Sequence, residues 1–354
     1  MPAGLNLHRL DRLVDAVQAN CHIADASHAA DLTLCIYLLQ MREFFRWEQG
    51  IAPMQPLPRD ELGAWIARRE ALWESVEGST FAPLQVLGCN FDPFDAAAVN
   101  AALRPFGLVY GAGYTAPGRA CFLLGELQRA EARDGLDLLV SGCEHARGLA
   151  APPAVLAGST VLLRQESVAR WVWEKFEAWT LKRQPGAFRA ALDAHGFGAM
   201  GSVAVERLID AEAETLILHE LGEHRAGRLL GPGWHDLRAR APRRTDLWLR
   251  SMRDHLADCL VTLPTLLARR ADASIHFWFS NLEGVRAELF PQLALAYAAW
   301  VAGDGGAALR DATSAGTAHW GRACLAVLRL HRAGGPDAAS CIDACAVSPQ
   351  WVLR

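Results

Sequence analysis

The sequence predicts a mainly α-helical protein, a helical bundle with a small α+β insert, and three observations support that prediction. Apolar residues recur at helical spacing over long stretches towards both ends of the chain. The middle, residues 84–165, instead contains short apolar runs separated by glycine and proline, which is typical of strands and turns. Twelve tryptophans in 354 residues favour thick cores between helices.

The N-terminal segment, residues 1–83, is predicted to be helical. The expected helices cover residues 5–20, 27–48 and 60–77. The second is apolar nearly all round, which predicts that it is buried on all sides. The stretch IAPMQPLPRD contains three prolines and is expected to end that helix, because proline lacks the amide donor that a helix interior needs.

The middle segment, residues 84–165, is predicted to be the α+β insert. DPFDAAAVNAALRPF is typical of a short capped helix, and GLVYGAGYTAPGRACFLLGEL of two strands joined by a turn. LDLLVSG and STVLLRQ are further candidate strands. We interpret the glycines of GAGYTAPG as a hairpin turn, since the strand-loop-helix context of a phosphate-binding loop does not follow them.

The C-terminal segment, residues 166–354, is predicted to return to helices and to pack with residues 1–83. The expected helices cover residues 166–182, 203–230, 244–270, 284–301 and about 305–333. No internal repeat of 20–50 residues is evident, so a solenoid is not expected.

The composition narrows the classes of partner. The net charge is −4 with the two signs interleaved, so no basic surface of the kind that binds nucleic acid is predicted. No window of about 18 residues is apolar and uncharged, which argues against a membrane span. We therefore expect a small-molecule substrate and no nucleic-acid or membrane partner, while the oligomeric state stays open.

The cysteines predict the compartment. Nine of them, an odd number, are scattered singly, which is typical of reduced thiols in a cytoplasmic protein. The N-terminus alternates charge and leucine and lacks an apolar stretch of signal-peptide length, which also favours a cytoplasmic location. Cys341 and Cys345 are four residues apart, but without a second pair they favour a structural role over a zinc site.

The stretch LHELGEH, residues 218–224, holds the densest group of candidate ligands. Its four titratable residues are His219, Glu220, Glu223 and His224. At about 100° per residue, His219 and Glu223 share one face of the predicted helix, and Glu212 lies two turns earlier on that face. These three are bordered by leucine and isoleucine, so the face is expected to be buried.

The other pair of this stretch points elsewhere. His224 diverges from His219 by about 140°, so the two histidines are not expected to share a metal on a straight helix. Glu220 and His224, one turn apart, form a separate pair. The spacing also differs from the zinc-protease pattern, in which the second histidine follows four residues after the first.

A buried histidine with carboxylates requires compensation, because an unpaired carboxylate in the interior costs several kcal/mol. A metal ion supplies the missing positive charge, and iron, manganese and zinc all accept imidazole and carboxylate ligands. The alternative is a structural network, in which His219 bonds to Glu223 and the glutamates pair with arginines from another helix.

A second group of candidate ligands lies in residues 21–48. Its members are His22, Asp25, His28, Asp31, Cys35, Glu43 and Glu48. On a single helix over 27–48, His28, Asp31 and Cys35 would share one face, and Glu43 would adjoin it. The sequence therefore predicts that this face meets the His219 face and completes a metal centre.

The alternative for this second group is again structural. Asp25 or Ser27 can be the N-cap of the predicted helix, where a side-chain oxygen accepts a backbone amide hydrogen bond, and Asp31 lies near its first turns, where a carboxylate is favourable. Glu43 has Arg42 and Arg46 as neighbours and can pair with either of them.

A third stretch, RDHLAD, is interpreted as peripheral. Asp254 and Asp258 point away from the apolar stripe of their predicted helix and are expected to face solvent. His255 lies at the edge of that stripe and is a candidate further ligand. His276 is expected to be a hydrogen-bonded core histidine.

The two helices together resemble the carboxylate-bridged dimetal bundles, in which histidines and carboxylates of several helices project into the bundle core. The Glu-x-x-His spacing usual there is missing, because Glu220-x-x-x-His224 is one residue longer and His28-x-x-Asp31 is reversed. The number of metal ions is therefore left at one or two.

We predict a transition-metal centre, with iron favoured and zinc or manganese as alternatives. Its expected ligands are His28, Asp31, Glu43, Glu212, His219, Glu223 and His224. The leading hypothesis is an iron-dependent oxidase or oxygenase that acts on a small organic substrate. The second is a zinc- or manganese-dependent hydrolase with Glu220 or Glu223 as general base, and the third is a non-catalytic helical protein that binds a ligand or partner.

The run CHIADASHAADLTLCIYLLQMREFFRWE, together with ILHELGEH, resembles an uncharacterised family of bacterial proteins. The two stretches cover about a tenth of the chain, and the resemblance implies no activity. What it implies is that the two groups of candidate ligands belong together.

Overall fold

The computed structural model describes residues 7–116, 119–334 and 351–353. It confirms the predicted fold class, since the protein is mainly α-helical with a small α+β portion. The chain divides into two compact units, an N-terminal unit, Met1–Glu177, and a C-terminal unit, Ala178–Arg354. The expected packing of residues 166–354 against residues 1–83 stays a prediction.

The N-terminal unit contains most of the sheet structure and four of the helices. These helices are α1 (Leu7–His28), α2 (Leu34–Glu48), α3 (Arg59–Val76) and α4 (Ala96–Leu103). Short 3-10 turns follow α1 at Ala29–Asp31 and α4 at Arg104–Phe106. Helix α5 (Gln165–Lys182) begins in this unit and ends in the next.

The single helix predicted over residues 27–48 was wrong. Helix α1 ends at His28, and α2 begins only after Leu32 and Thr33, which are extended, with ψ near 145° and 148°. Threonine and aspartate favour helix ends over helix interiors, because their side chains compete for backbone hydrogen bonds there. His28, Asp31 and Cys35 therefore lie on three different elements and share no helical face.

The prediction that this segment is buried on all sides was also wrong. Helix α2 buries one face, which includes Met41 and Phe44, against Trp65 of α3. Its opposite face is exposed: Leu34 retains 70% and Leu39 55% of its accessible surface. Periodicity cannot distinguish a helix packed on one side from one packed on all sides when apolar residues occupy both.

The strands form two sheets. A hairpin pairs β1 (Leu84–Val86) with β2 (Cys89–Phe91). The larger sheet has the order β3-β4-β5-β7-β6 and contains β3 (Leu108–Ala116), β4 (Arg119–Arg133), β5 (Leu136–Arg147), β6 (Ala154–Ala157) and β7 (Thr160–Arg164). Neighbouring strands are antiparallel except β5 and β7, which are parallel. The predicted hairpin is confirmed as β3–β4, although residues 117 and 118 of its turn lie outside the described residues.

Helix α1 lies on the larger sheet. Val17 and Cys21 of α1 are fully buried and pack in one apolar cluster with Tyr110, Phe122 and Leu124 of β3 and β4. The thiol of Cys21 donates a hydrogen bond to the Phe122 carbonyl oxygen at 3.4 Å. This contact joins α1 to β4, 101 residues apart in sequence, so α1 and the sheet form one core.

The C-terminal unit is helical throughout its described residues. Its helices are α6 (Ala187–Ala194), α7 (Phe197–Met200), α8 (Ser202–Leu230), α9 (Gly233–Arg240), α10 (Arg243–Ala257), α11 (Leu263–Arg269), α12 (Asp272–Ser280), α13 (Gly284–Leu289), α14 (Pro291–Val301) and α15 (Ala307–Ala333). The helix predicted over 203–230 is confirmed as α8. The helix predicted over 244–270 is broken by a π-helical turn, Asp258–Thr262, between α10 and α11.

In residues 7–116, 119–334 and 351–353, no helix is both long enough and apolar enough to cross a membrane. Cys341 and Cys345, which were expected to be structural, lie outside the described residues.

Candidate metal centre

Helices α8 and α10 approach each other most closely at a glycine. A Cβ atom on Gly222 would lie 2.8 Å from the carbonyl carbon of Ala257 and would overlap its oxygen, so no larger residue fits there without movement. On both helices, this contact is flanked by pairs of titratable residues one turn apart. The pairs are His219 and Glu223 on α8, and Asp254 and Asp258 on α10 and the π turn that follows.

Three of these side chains come together. One ligand atom each of His219, Glu223 and Asp254 can be chosen so that all lie within 4.8 Å of one another, and all three residues are half-buried. Atoms that share an ion at about 2.1 Å are at most about 4.2 Å apart, so a small side-chain rotation closes the site. In the described part of the chain, this is the one such group of three.

The imidazole of His219 is oriented by Asp258. Its Nδ1 lies 2.8 Å from Asp258 Oδ1, and because a carboxylate only accepts hydrogen bonds, Nδ1 carries the proton. The other nitrogen, Nε2, lies 3.9 Å from Glu223 Oε1. Metal-binding histidines commonly donate their remote N–H to a carboxylate in this way, which fixes the tautomer and the ring.

Asp258 is itself held in place from a third helix. Arg286 of α13 donates from Nη2 to Asp258 Oδ2 at 2.5 Å, and only 1% of the Asp258 side chain is exposed. Burial alone would raise the pKa of Asp258, but His219 and Arg286 outweigh it and hold that pKa well below its ordinary range. The expectation that Asp258 faces solvent was therefore wrong, because its countercharge comes from a distant segment.

The cluster contains more carboxylates than cations. The carboxylates are Glu220, Glu223, Asp254 and Asp258, and the cationic groups are His219, Arg253 and Arg286. Burial, followed by the charge of Glu223, raises the pKa of Glu220 to about 7. Burial also raises the pKa of Asp254. Glu220 and Asp254 therefore hold protons more tightly than ordinary carboxylates, and an additional cation would displace them.

The excess of carboxylates in this cluster also affects the pKa of His219. Burial opposes protonation of the ring, but the charge and hydrogen bond of Asp258, together with the charges of Glu223 and Asp254, outweigh it and raise the pKa of His219 to about 10. A divalent ion on Nε2 would replace that proton and keep the Nδ1 hydrogen bond. The donor set, one imidazole and two carboxylates, therefore fits such an ion.

Arg253 of α10 competes for one of the three candidate ligands. Its Nη2 donates a short hydrogen bond to Glu223 Oε1. A carboxylate has two oxygens, so Glu223 can keep Arg253 on one and offer the other to an ion. The same contact agrees with the structural alternative, in which a glutamate of this helix pairs with an arginine from another.

The structure places the remaining predicted ligands of α8 outside the group of three. Glu212 lies two turns earlier and is 1% exposed. It is hydrogen-bonded to Ser274 and Thr215, and burial raises its pKa to about 8. His224 is half-buried and immediately follows Glu223 in sequence.

The predicted ligands of the N-terminal unit have partners of their own. Asp31 is exposed and accepts a hydrogen bond from Arg119 at 3.3 Å, and His28 Nδ1 lies 3.8 Å from an Asp31 oxygen. Glu43 is buried and pairs with Arg42 at 2.9 Å and with Arg46 at 3.5 Å, as in the structural alternative. Among the described residues of this unit, no three candidate ligands converge.

Sequence reasoning missed Asp254, Asp258 and Arg286. A usable signal was present, because Asp254 and Asp258 repeat the one-turn spacing of His219 and Glu223. His255, which was considered a further ligand, is instead fully buried in the core. Its Nε2 lies 2.8 Å from the Arg286 carbonyl oxygen. Burial lowers its pKa to about 3, so the ring is neutral.

His276 has a hydrogen-bond partner, as expected. Its Nδ1 lies 2.7 Å from the Tyr297 hydroxyl oxygen, and its ring contacts the Trp300 ring. It is half-buried and lies within an aromatic cluster of α12 and α14, so we assign it a structural role.

Comparison with known proteins identifies the family. A model described as the N-terminal domain of a family of unknown function, DUF6866, matches residues 12–164, and the model of its C-terminal domain matches residues 169–348. The chain belongs to the DUF6866 family. The predicted resemblance to an uncharacterised family is thus confirmed. No curated protein and no solved structure matches the chain.

Both stretches that carried the resemblance lie within the matched residues. Residues 21–48 belong to the DUF6866 N-terminal domain, and residues 218–224 to the C-terminal domain. All residues of the candidate metal centre, from His219 to Arg286, lie within the C-terminal domain.

Proposed function

We propose that the DUF6866 C-terminal domain binds one divalent transition-metal ion through His219 Nε2, Glu223 and Asp254. The observation that carries the proposal is the hydrogen bond from His219 Nδ1 to Asp258, which Arg286 anchors. This bond leaves Nε2 available for an ion, 3.9 Å from Glu223 Oε1, and Asp254 completes the same group of three. Three protein ligands leave positions for water and substrate, as in catalytic metal sites.

The donor set favours iron(II) or manganese, with zinc as the alternative. Carboxylates suit harder ions and imidazole suits borderline ones, so a mixed set is selective for ions that accept both. The proposal is for one ion, because His219 is the one histidine in the described group.

The reaction that we propose is metal-dependent hydrolysis of a small organic substrate. A bound divalent ion would acidify water and polarise a substrate oxygen. Glu220 lies next to His219 in sequence, is 8% exposed, and belongs to the same electrostatic cluster without being one of the three ligands. In this proposal it accepts the proton of the attacking water, while Asp258 and Arg286 hold the His219 ring in place.

Oxidation of a small organic substrate with iron is the second candidate. It is supported by aromatic rings packed around His255, the residue that follows Asp254 in the sequence. The ring of His255 stacks on Trp320 at 5.0 Å, and Phe290 contacts Trp320 at 5.8 Å. An apolar wall of this kind excludes water and protects reactive intermediates.

Elemental analysis of protein purified without chelator tests the metal site. We expect about one equivalent of iron, manganese or zinc in the wild type, and its loss in His219→Ala and Asp254→Asn. The matched control is Asp210→Asn, which changes an exposed aspartate on the same helix and should retain the metal. Folded wild-type protein that takes up none of the three metals would overturn the proposal and leave a non-catalytic network.

The two reactions are separated after reconstitution. Protein loaded anaerobically with iron(II) is tested for oxygen consumption, and protein loaded with manganese or zinc for hydrolysis of ester, amide and phosphoester panels. Hydrolysis that Glu220→Gln abolishes without metal loss supports the first candidate. Substrate-dependent oxygen consumption with iron alone supports the second.

A further inference from the structure

A cleft of about 260 Å³ lies in the N-terminal unit, between α2, the end of β5 and α5. Its apolar lining comes from Trp47, Ile51, Met54 and Trp173. Its charged lining consists of three arginines and four glutamates, namely Arg46, Arg147, Arg170, Glu43, Glu166, Glu174 and Glu177. The volume is below the ~300–1,000 Å³ of typical sites for drug-sized ligands, so the cleft suits a small molecule.

Arg147 provides the buried charge of this cleft. Only 2% of its side chain is exposed, yet among the described residues its Nε and Nη2 atoms have no hydrogen-bond partner. The third nitrogen, Nη1, lies 3.6 Å from Glu144 Oε2. The guanidinium also lies over the Trp47 ring, 5.3 Å from its centroid.

Arg164, a neighbouring arginine, makes the paired hydrogen bonds to a carboxylate that Arg147 does not make. Arg164, equally buried, donates from Nε and Nη2 to the two oxygens of Glu144, at 2.8 and 2.6 Å. This is the bidentate geometry in which an arginine edge binds a carboxylate. The same edge of Arg147 is unoccupied, and Glu144 already has its partner in Arg164.

The electrostatic surroundings of Arg147 favour an anion. Burial lowers the pKa of Arg147 to about 9, and although Glu144 opposes this, Arg170 and Arg164 add to it. An uncompensated buried charge costs several kcal/mol, and a ligand carboxylate on the free edge would offset that cost. The free energy that this offset releases would contribute to the affinity for the ligand.

We propose that this cleft binds a small monocarboxylate with an apolar or aromatic body. The carboxylate would accept hydrogen bonds from Nε and Nη2 of Arg147 once the guanidinium turns that buried edge towards the cleft, and the body would pack on Trp47 and Trp173. This inference rests on none of the metal-centre residues and goes beyond the function proposed for the C-terminal domain.

Glu166 distinguishes a monocarboxylate from a phosphate. Its carboxylate lines the same cleft, accepts a hydrogen bond from the Glu144 amide at 3.2 Å, and has a pKa that burial raises. Glu43, Glu174 and Glu177 also line the cleft. Because these four carboxylates repel anions, a ligand with two negative charges is disfavoured relative to one with a single charge.

Isothermal titration of the full chain tests the proposal with defined probes. The carboxylates are phenylacetate, indole-3-acetate and 4-methylpentanoate; the neutral analogues are phenylacetamide and 2-phenylethanol; inorganic phosphate is the dianion. We expect at least one carboxylate to bind at least about tenfold more tightly than its neutral analogue and than phosphate, since hydrogen bonds to a charged group are stronger than those to a neutral one. Absence of binding by all three carboxylates, or preference for phosphate, would overturn the proposal.

Arg147→Met tests the residue. We expect carboxylate binding to fall at least about tenfold with no loss of thermal stability, because a buried charge without partners is replaced by an apolar side chain of similar length. Arg104→Met, which removes a surface arginine of the same unit, is the matched control and should bind as the wild type. Unchanged binding in Arg147→Met would contradict the assignment.

Glu166→Gln provides a second, independent variant. It removes a negative charge from the cleft and is isosteric, so we expect tighter carboxylate binding, by severalfold, and a smaller discrimination against phosphate. Weaker or unchanged carboxylate binding in this variant would contradict the proposed position of the ligand, whether or not Arg147→Met folds.

Discussion

The two compact units each bury a network of charged side chains, and the imbalance in the two networks has opposite signs. In the C-terminal unit, the carboxylates Glu220, Glu223, Asp254 and Asp258 meet the cations His219, Arg253 and Arg286. In the N-terminal unit, Arg147 and Arg164 share one buried carboxylate, Glu144. The sign of the unmatched charge indicates the sign of the ligand, a cation in the first case and an anion in the second.

The two networks also differ in how their members depend on each other. Asp258 has two cationic partners, so removing it leaves two uncompensated charges. Arg147 contacts Glu144 only at 3.6 Å, whereas Arg164 lies 2.6 Å from it, so removing Arg147 leaves Glu144 still bound by Arg164. The comparison therefore predicts large losses of stability in one unit and small ones in the other.

The largest effect is expected for Asp258→Ala. The substitution leaves His219 and Arg286 in a buried position without their counterion, which typically costs ~3–5 kcal/mol. Denaturant unfolding followed by circular dichroism measures the change. Asp246→Ala, which removes a more exposed carboxylate of α10, is the control and should cost less. A loss in Asp258→Ala no larger than in the control would remove the distinction between the two networks.

A pH-dependent effect is expected from Glu212. Burial raises its pKa to about 8, so the folded protein holds a proton that the unfolded chain releases near pH 4. The folded state therefore binds more protons than the unfolded state between about pH 4 and pH 8, and stability falls as pH rises through this window. Glu212→Gln removes this contribution and should stabilise the protein at pH 9, by on the order of 3 kcal/mol.

Unfolding free energies of both proteins at pH 5 and pH 9 test this expectation. The variant should gain relative to the wild type only at the higher pH. An equal difference at both values would mean that Glu212 titrates normally. If Glu212 instead binds the metal, Glu212→Gln should lower the metal content, which the proposed three-ligand set does not predict.

A smaller effect is expected for Gly222→Ala. The added Cβ overlaps the Ala257 carbonyl, so α8 and α10 must separate, at a cost of ~1–3 kcal/mol. The same separation should weaken metal binding, because the ligands come from both helices. Gly227→Ala is the matched control: its Cβ meets nothing within 4 Å on the same helix, and it should stabilise by ~0.5–1 kcal/mol.

The smallest effect on stability is expected for Arg147→Met. Thermal unfolding should show no change or a slight increase in midpoint, in contrast to Asp258→Ala. A loss comparable to that of Asp258→Ala would show that Arg147 is balanced within the fold, and the opposite signs of the two networks would no longer hold.

Helical periodicity predicted α8 to within one residue of Ser202–Leu230, because a long amphipathic pattern depends on the local sequence alone. It also placed His219 and Glu223 on one face. It failed at residues 29–33, where a short 3-10 turn and two extended residues separate α1 from α2. Such a break leaves little trace in the hydrophobic pattern, since apolar residues continue across it.

The sequence by itself therefore determined the helices, the strands of the insert and the chemistry available on each face, because these follow from the spacing of neighbouring residues. Only the tertiary structure decided which charges meet. Asp254, Asp258 and Arg286 join His219 through the packing of α10 and α13 on α8, and the close approach at Gly222 sets that packing. Whether a buried carboxylate or arginine has an oppositely charged partner depends on contacts between segments distant in sequence. Those contacts therefore decide where a buried charge remains without a partner and can bind a ligand of opposite charge.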